Sequence, residues 1–385
     1  MKIIRKQVDD LNFYYYKHPF SAYYVGVKVG LGGEDAYPGI SHFLEHVMFH
    51  NDKLGYSSEF KKLGTYVNAF TTDDFMYFYI KGTENFSKSL KLLVKMLGSI
   101  YLDEEMIQNE KNIILEERRE NINDPSYQMN LKVEDMIYHN KINKREILGT
   151  YEDIKAIDKD KLLETYNKYF VKNNISIIGI TKEPLNKIIK EFKNSFKEGT
   201  LIREDIKENS NVKETFKEIE MDKITIPRTF ITYKYKVEDP SREMALMMFI
   251  LNSYFSYTFG FGKKLEELNL SYGFNTNNTY KKDYFSLSFS FFGDDYKTYT
   301  KLIEEAMNKK MNSKEFNYFN NIYNNQLTLY REDTESIAYI IQYLFLRFSN
   351  DINLSKLKLD LKSVDKTINK LKNSPRSCLV IKPKK

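Results

Sequence analysis

The chain opens with three runs dense in Ile, Val, Phe and Tyr, residues 2–8, 12–17 and 22–30. The third alternates by twos, and all three are predicted strands. Asp9-Asp10 and His18-Pro19 punctuate them, and Gly30-Leu31-Gly32-Gly33 ends the third. That loop is no phosphate cradle, because G-x-G-x-x-G would need glycine where Asp35 stands. After Pro38-Gly39, Gly39 or Ser41 starts a predicted helix that runs to about His50. A short helix over 57–63 and two strands over 66–71 and 75–81 follow, with Asp73-Asp74 at their turn. Apolar residues then recur at i, i+3 and i+4 over 85–101, 103–121 and 127–139, which predicts three helices. Residues 159–170 read as another helix, 175–180 as a buried strand and 183–196 as a closing helix.

Residues 197–218 are charged, carry Gly199, Ser210 and Asn211, and lack periodicity, so they read as a linker. The first pattern then returns: a strand-like run over 224–237, helices over 241–254 and 262–268, and strands over 272–279 and 284–292. Helices over 296–309, 314–330, 334–348 and 364–371 precede a last strand over 378–381. Paired neighbouring strands imply antiparallel sheet rather than β-α-β units. The expected fold class is α+β, with two tandem homologous domains, each a mostly antiparallel sheet with helices packed on one face. A length of 385 residues fits two domains of roughly 150–200. The expected boundaries are 1–196 for the first domain, 197–218 for the linker and 219–385 for the second.

Composition removes several function classes. A net charge of +6 over this length, without an organised basic stripe, argues against a nucleic-acid partner. The single cysteine, Cys378, excludes an internal disulfide and a multi-cysteine metal site, and reads as a buried, inert thiol. The longest apolar run, 244–251, is far short of the roughly 20 residues of a membrane span. Residues 1–10 carry no signal-peptide core, so a cytoplasmic protein is expected.

Three of the five histidines lie four apart in Ser41-His42-Phe43-Leu44-Glu45-His46-Val47-Met48-Phe49-His50. Residues i and i+4 share a helix face, so His42 and His46 can hold one ion, and Glu45 can reach the same space. Two imidazoles suit zinc, and a neighbouring carboxylate suits a general base. H-x-x-E-H is the inverted zincin motif. His50 continues the spacing but stands two turns, about 11 Å of rise, from His42. It reads as a surface histidine or one behind a ligand. A third ligand is expected from the Glu-rich helix, where Glu110 and Glu117 share a face and Glu116 and Glu120 point elsewhere. Spacing alone does not select among these glutamates.

Gly39-Ile40-Ser41-His42-Phe43-Leu44-Glu45-His46, then Val67-Asn68-Ala69-Phe70-Thr71, then Glu110-Lys111-Asn112-Ile113-Ile114-Leu115-Glu116-Glu117 resembles the pitrilysin-like family of zinc metallopeptidases. That family includes insulinase and the mitochondrial processing peptidase, and the small bacterial type fits best. Ile147-Leu148-Gly149-Thr150 and Asp124-Pro125 add to the resemblance. It implies one zinc ion per chain on His42, His46 and Glu117, with Glu45 as the base toward its water and Glu110 orienting a ligand. It also implies that Asn68 and Ala69 sit on an edge strand that takes an extended peptide by strand addition.

The family's second half carries an Arg and a Tyr seven apart that grip substrate. In Lys263-Lys264-Leu265-Glu266-Glu267-Leu268-Asn269-Leu270-Ser271-Tyr272-Gly273, Tyr272 matches the tyrosine and Leu265 stands at the arginine. The expected function is a zinc endopeptidase acting on short or unfolded peptides, such as leader or targeting peptides, in a closed chamber. A homologous partner subunit that brings the missing Arg is expected over a homodimer. The alternative is a non-catalytic structural or assembly subunit of the same fold.

Overall fold

The computed structural model describes residues 3–31, 37–50, 55–140, 146–201, 208–256, 261–268, 273–281, 283–330, 332–342 and 358–384. The chain divides into two compact units that interleave along the sequence. The first draws its described residues from 1–121, 145–205 and 330–349, and the second from 122–144, 206–329 and 350–385.

The first unit is built on a six-stranded sheet: β1 (Ile4–Val8), β2 (Leu11–Lys17), β3 (Tyr23–Gly30), β4 (Tyr66–Thr71), β5 (Phe75–Gly82) and β6 (Ile175–Thr181). Their order is β1-β2-β6-β3-β5-β4, antiparallel except for β2 against β6. Alternation sends Val25, Val27 and Val29 of β3 to one face, where they pack with α1 (Ile40–Met48), α2 (Tyr56–Lys62), α3 (Phe86–Gly98), α4 (Glu104–Asn123), α6 (Tyr151–Ala156), α7 (Lys159–Tyr169) and α8 (Leu185–Phe192). Tyr24 of β3 faces the other way, as do Ile178 and Ile180 in register beside it. That side receives α13 (Thr334–Ile341), from far along the chain: Gln342 just beyond it donates to Tyr24 Oη at 3.0 Å, and Glu335 pairs with Lys81.

The second unit repeats the plan. Its strands β7 (Phe216–Met221), β8 (Arg228–Lys236), β9 (Phe274–Lys281), β10 (Tyr284–Phe292) and β11 (Arg376–Pro383) lie in the order β7-β11-β8-β10-β9. Again a single pair, β11 with β7, is parallel. Omitting β1, the two sheets share one strand order. Helices α9 (Pro240–Ser253), α10 (Phe261–Glu267), α11 (Tyr296–Asn308), α12 (Ser313–Tyr330) and α14 (Leu361–Lys372) belong to this unit. The early helix α5 (Pro125–Ile137) also belongs here, and its Met129, Val133, Met136 and Ile137 pack with Leu379 and Ile381 of β11.

The fold is α+β, as the patterning predicts, with one helix added to a second face of each sheet. The sequence reading places one divider at 197–218, whereas the compact units exchange α5 and α13. Residues 216–221 also run on as β7, whose exposed positions alternate with half-buried ones as on an edge strand. A fully buried ion pair ties part of the same segment down. Lys234 Nζ lies 3.0 Å from Glu208 Oε1 and donates to the Ile137 and Asn211 carbonyls at 3.1 and 3.2 Å. Glu208 also accepts the His139 and Asn140 backbone N–H groups just past the end of α5. Cys378 is buried in β11, which pushes its thiol up to about 12. No helix among the described residues is long and apolar enough to cross a membrane.

Candidate metal centre

The helix α1 starts at Gly39, whose φ of +82° is left-handed and favours glycine. A Cβ there would stand 2.4 Å from the Leu148 carbonyl oxygen, so the 148–149 backbone seats the helix start. The next turns bury Ile40, Phe43, Leu44, Val47 and Met48, which leaves His42 and His46 on the other face. On α4, Ile107, Glu110, Ile114 and Arg118 are buried at spacings of three and four. Arg118 pairs with Glu146, and Lys111 donates to the carbonyls of Lys155 and Ile157 at 3.0 and 2.8 Å. Those contacts fix the rotation of α4 and present Glu117, one position from the buried stripe, toward α1.

Ligand atoms of His42, His46 and Glu117 lie within 4.8 Å of one another. Glu117 Oε2 is 3.7 Å from His42 Nε2 and 3.6 Å from His46 Nε2. Glu116 instead pairs with Arg119 in solvent, and Glu120 is exposed. Glu110 Oε2 lies 3.1 Å from His46 Nδ1. A carboxylate only accepts, so His46 carries a proton on Nδ1, which leaves Nε2, the nitrogen nearer Glu117, as the atom that would bind a metal. His42 Nδ1 is buried and has no hydrogen-bond partner among the described residues. Two imidazoles and one carboxylate converging at this range fit a tetrahedral zinc site with one position left open.

The electrostatics are those of a cation pocket. Burial, then repulsion from His46, drives His42 down to about 4 against the attraction of Glu117. For His46, burial acts downward, but Glu110, Glu117 and Glu45 outweigh it and hold the imidazolium up to about 9. The contact with His46 lowers Glu117, against its partial burial. Burial raises Glu45, which the Thr71 hydroxyl, donating to its Oε2 at 2.6 Å, partly offsets.

Asn68 and Ala69 lie on β4, the sheet's edge strand, as expected. The Ala69 N–H donates to Asn68 Oδ1 at 2.9 Å, and Asn68 Nδ2 donates to Tyr66 Oη at 3.1 Å. Tyr272 lies outside the described residues. Leu265 is a core side chain of α10, 2% exposed, and Lys264 is engaged with Glu305, so neither presents a free cation in place of the arginine. Sequence reasoning passed over Thr71, which stands on the quoted Val67–Thr71 stretch but has no spacing relation to Glu45. It left His50 open: its Nε2 lies 3.1 Å from Glu110 Oε1.

The two repeated sheets and the inverted H-x-x-E-H helix define a chain of the M16 peptidase fold. The family model for insulinase, peptidase family M16, matches residues 14–151, the part of the chain that carries α1, β4 and α4. It is 27% identical over 204 residues to an uncharacterized zinc protease, YmfH, of Bacillus subtilis, covering 51% of this chain and 47% of that protein. It is 30% identical over 143 residues to the beta subunit of the bovine mitochondrial-processing peptidase, covering 34% and 28%. The matches thus span about half or less of these relatives. In fold it is similar to a protease from Helicobacter pylori, with TM-score 0.85 and 19% identity over 99% of this chain and all of that one. It is also similar to an inactive M16 peptidase domain from Pseudomonas fluorescens, with TM-score 0.82 and 13% identity over 100% and 99%.

Proposed function

We propose that the chain is a zinc-dependent endopeptidase for short or unfolded peptides, with His42, His46 and Glu117 as zinc ligands and Glu45 as general base. The observation that carries this is the meeting of those three ligand atoms within 4.8 Å beside a buried carboxylate. A bound zinc ion supplies Lewis acidity and lowers the pKa of water toward about 7. Glu45 accepts the proton of the attacking water and returns it to the departing amine. Burial raises its pKa, the direction that makes a carboxylate a better proton acceptor. Thr71 holds one oxygen of that carboxylate, which leaves the other to exchange the proton.

The substrate backbone adds to the edge of β4. The Ala69 N–H, satisfied by Asn68 in the free chain, is the donor it would take over. Strand addition demands an extended peptide, so leader or targeting segments suit the site. Since Leu265 is buried, a homologous subunit in the same compartment, the cytoplasm, would bring the Arg and Tyr that grip the substrate. A second reading, a non-catalytic assembly subunit, draws on the likeness in fold to the inactive Pseudomonas domain. The four polar groups of the centre favour catalysis over it.

The deciding experiment measures zinc content and peptide cleavage together. Glu45→Gln should keep one zinc per chain and lose roughly 10²- to 10⁴-fold in rate. Glu117→Gln should lose zinc, whereas Glu116→Gln and Glu120→Gln should keep it. Undiminished turnover in Glu45→Gln, or a wild-type chain that binds no zinc, refutes the reading.

A further inference from the structure

We infer that His50 is a positioning residue for the metal centre, acting on His46 through Glu110. The inference rests on the zinc-site reading above. Glu110 stands between two imidazoles: Oε2 is 3.1 Å from His46 Nδ1, and Oε1 is 3.1 Å from His50 Nε2. Its side chain is 7% exposed, so the carboxylate has little water to turn to. The terminal torsion of a glutamate is broad and roughly two-fold. One hydrogen bond would leave that torsion free to swing. Contacts to both oxygens fix the carboxylate plane, and with it the direction from which His46 Nδ1–H is held. His46 Nε2, on the far side of the ring, is then aimed at the space it shares with His42 and Glu117.

The backbone puts His50 where this role needs it. The chain leaves α1 in a tight turn, with the Phe49 N–H on the His46 carbonyl at 3.2 Å and the His50 N–H on that of Val47 at 3.0 Å. His50 therefore stays one turn beyond His46 on the same side. Its ring reaches past the helix end to the outer oxygen of Glu110. The two imidazoles bracket a single residue of α4, two helical turns before Glu117 on the same helix. His50 does not approach the ion site itself, since the cluster of potential ligand atoms among the described residues comprises His42, His46 and Glu117.

The test is zinc affinity of the full chain by competition with a chelator of known affinity, for wild type, His50→Ala, His50→Gln, Glu110→Gln and the His50→Ala/Glu110→Gln pair. Removing a group behind a ligand typically weakens metal binding roughly 10- to 100-fold, the loss expected for Glu110→Gln. His50→Ala, one step further out, should lose about three- to tenfold, at the lower end of that scale. His50→Gln, whose amide nitrogen reaches the same place, should restore wild-type affinity. The pair should bind no more weakly than Glu110→Gln alone. His50 is 52% exposed, so melting of the metal-free protein should not change in His50→Ala. Unchanged affinity in His50→Ala, a failure of Gln to rescue, or a further loss in the pair overturns the positioning role while leaving the zinc site standing. A wild-type chain without zinc affinity overturns the site reading itself, and this inference with it.

Discussion

Replacing Lys234 with Met should destabilise the second unit far more than an ordinary lysine substitution. Both members of the Lys234–Glu208 pair are fully buried. The ammonium has three oxygen partners within 3.2 Å, and the rings of Tyr138 and Tyr284 each lie 5.0 Å from it. Methionine fills much of the volume but strands Glu208 in the interior, and the Ile137 and Asn211 carbonyls lose a donor. Breaking a buried pair from one side costs about 3–5 kcal/mol. Glu208→Gln leaves the ammonium facing a neutral amide, a loss of similar origin. The double variant removes both charges, so it should cost about 2 kcal/mol or more less than the sum of the singles. Urea unfolding by circular dichroism gives the energies, and hydrogen exchange in α5 locates the loss, because Lys234 donates to the Ile137 carbonyl at the end of that helix and Glu208 accepts the two N–H groups just past it. A single substitution costing under about 1 kcal/mol, or singles that add to within about 0.5 kcal/mol, would refute the argument.

Thr71→Val should keep zinc and fold but slow peptide cleavage about tenfold or more, since Glu45 loses a charge-assisted hydrogen bond worth roughly 1.5–3 kcal/mol; wild-type turnover in this variant removes Thr71 from the catalytic apparatus. The purified chain alone should be a weak peptidase that gains about ten- to a hundredfold with a homologous Arg/Tyr-bearing subunit. Cleavage of one peptide, measured with and without that subunit and alongside the assembly mass, checks this. Full activity of the chain alone, unchanged on addition, rejects the need for a partner.

The residues that meet at the centre were legible to different depths. His42, Glu45 and His46 could be read because a helix repeats every 3.6 residues and all three lie within five positions. Glu117 could not be chosen from spacing, since Glu110, Glu116 and Glu120 share its helix. The rotation of α4 decides it, and Arg118 with Glu146 and Lys111 with two carbonyls set that rotation through partners 28 to 46 residues away. Thr71 and His50 depend on tertiary approach, of Thr71 to Glu45 and of His50 to Glu110, and no local period records it. The same limit hid the exchange of α5 and α13. An amphipathic pattern says that a helix buries a face, not which sheet it buries it against.

That exchange bears on how the protein is made. A chain leaves the ribosome at roughly 5–20 residues per second. All strands of the first sheet have emerged once β6 is synthesised, yet α13 begins about 150 residues later, a wait of roughly 8–30 s. Through that interval the face of Tyr24, Ile178 and Ile180 lacks α13. Meanwhile α5 is finished early and holds Met129, Val133 and Met136 ready for β11, which begins at residue 376. β11 lies between β7 and β8, so the second sheet is split until it arrives. Neither unit can close on its own schedule. The nascent polypeptide keeps the face awaiting α13 open until residue 334 and the apolar side of α5 open until β11, and a stop codon before residue 376 would leave both the second sheet and α5 without their missing strand.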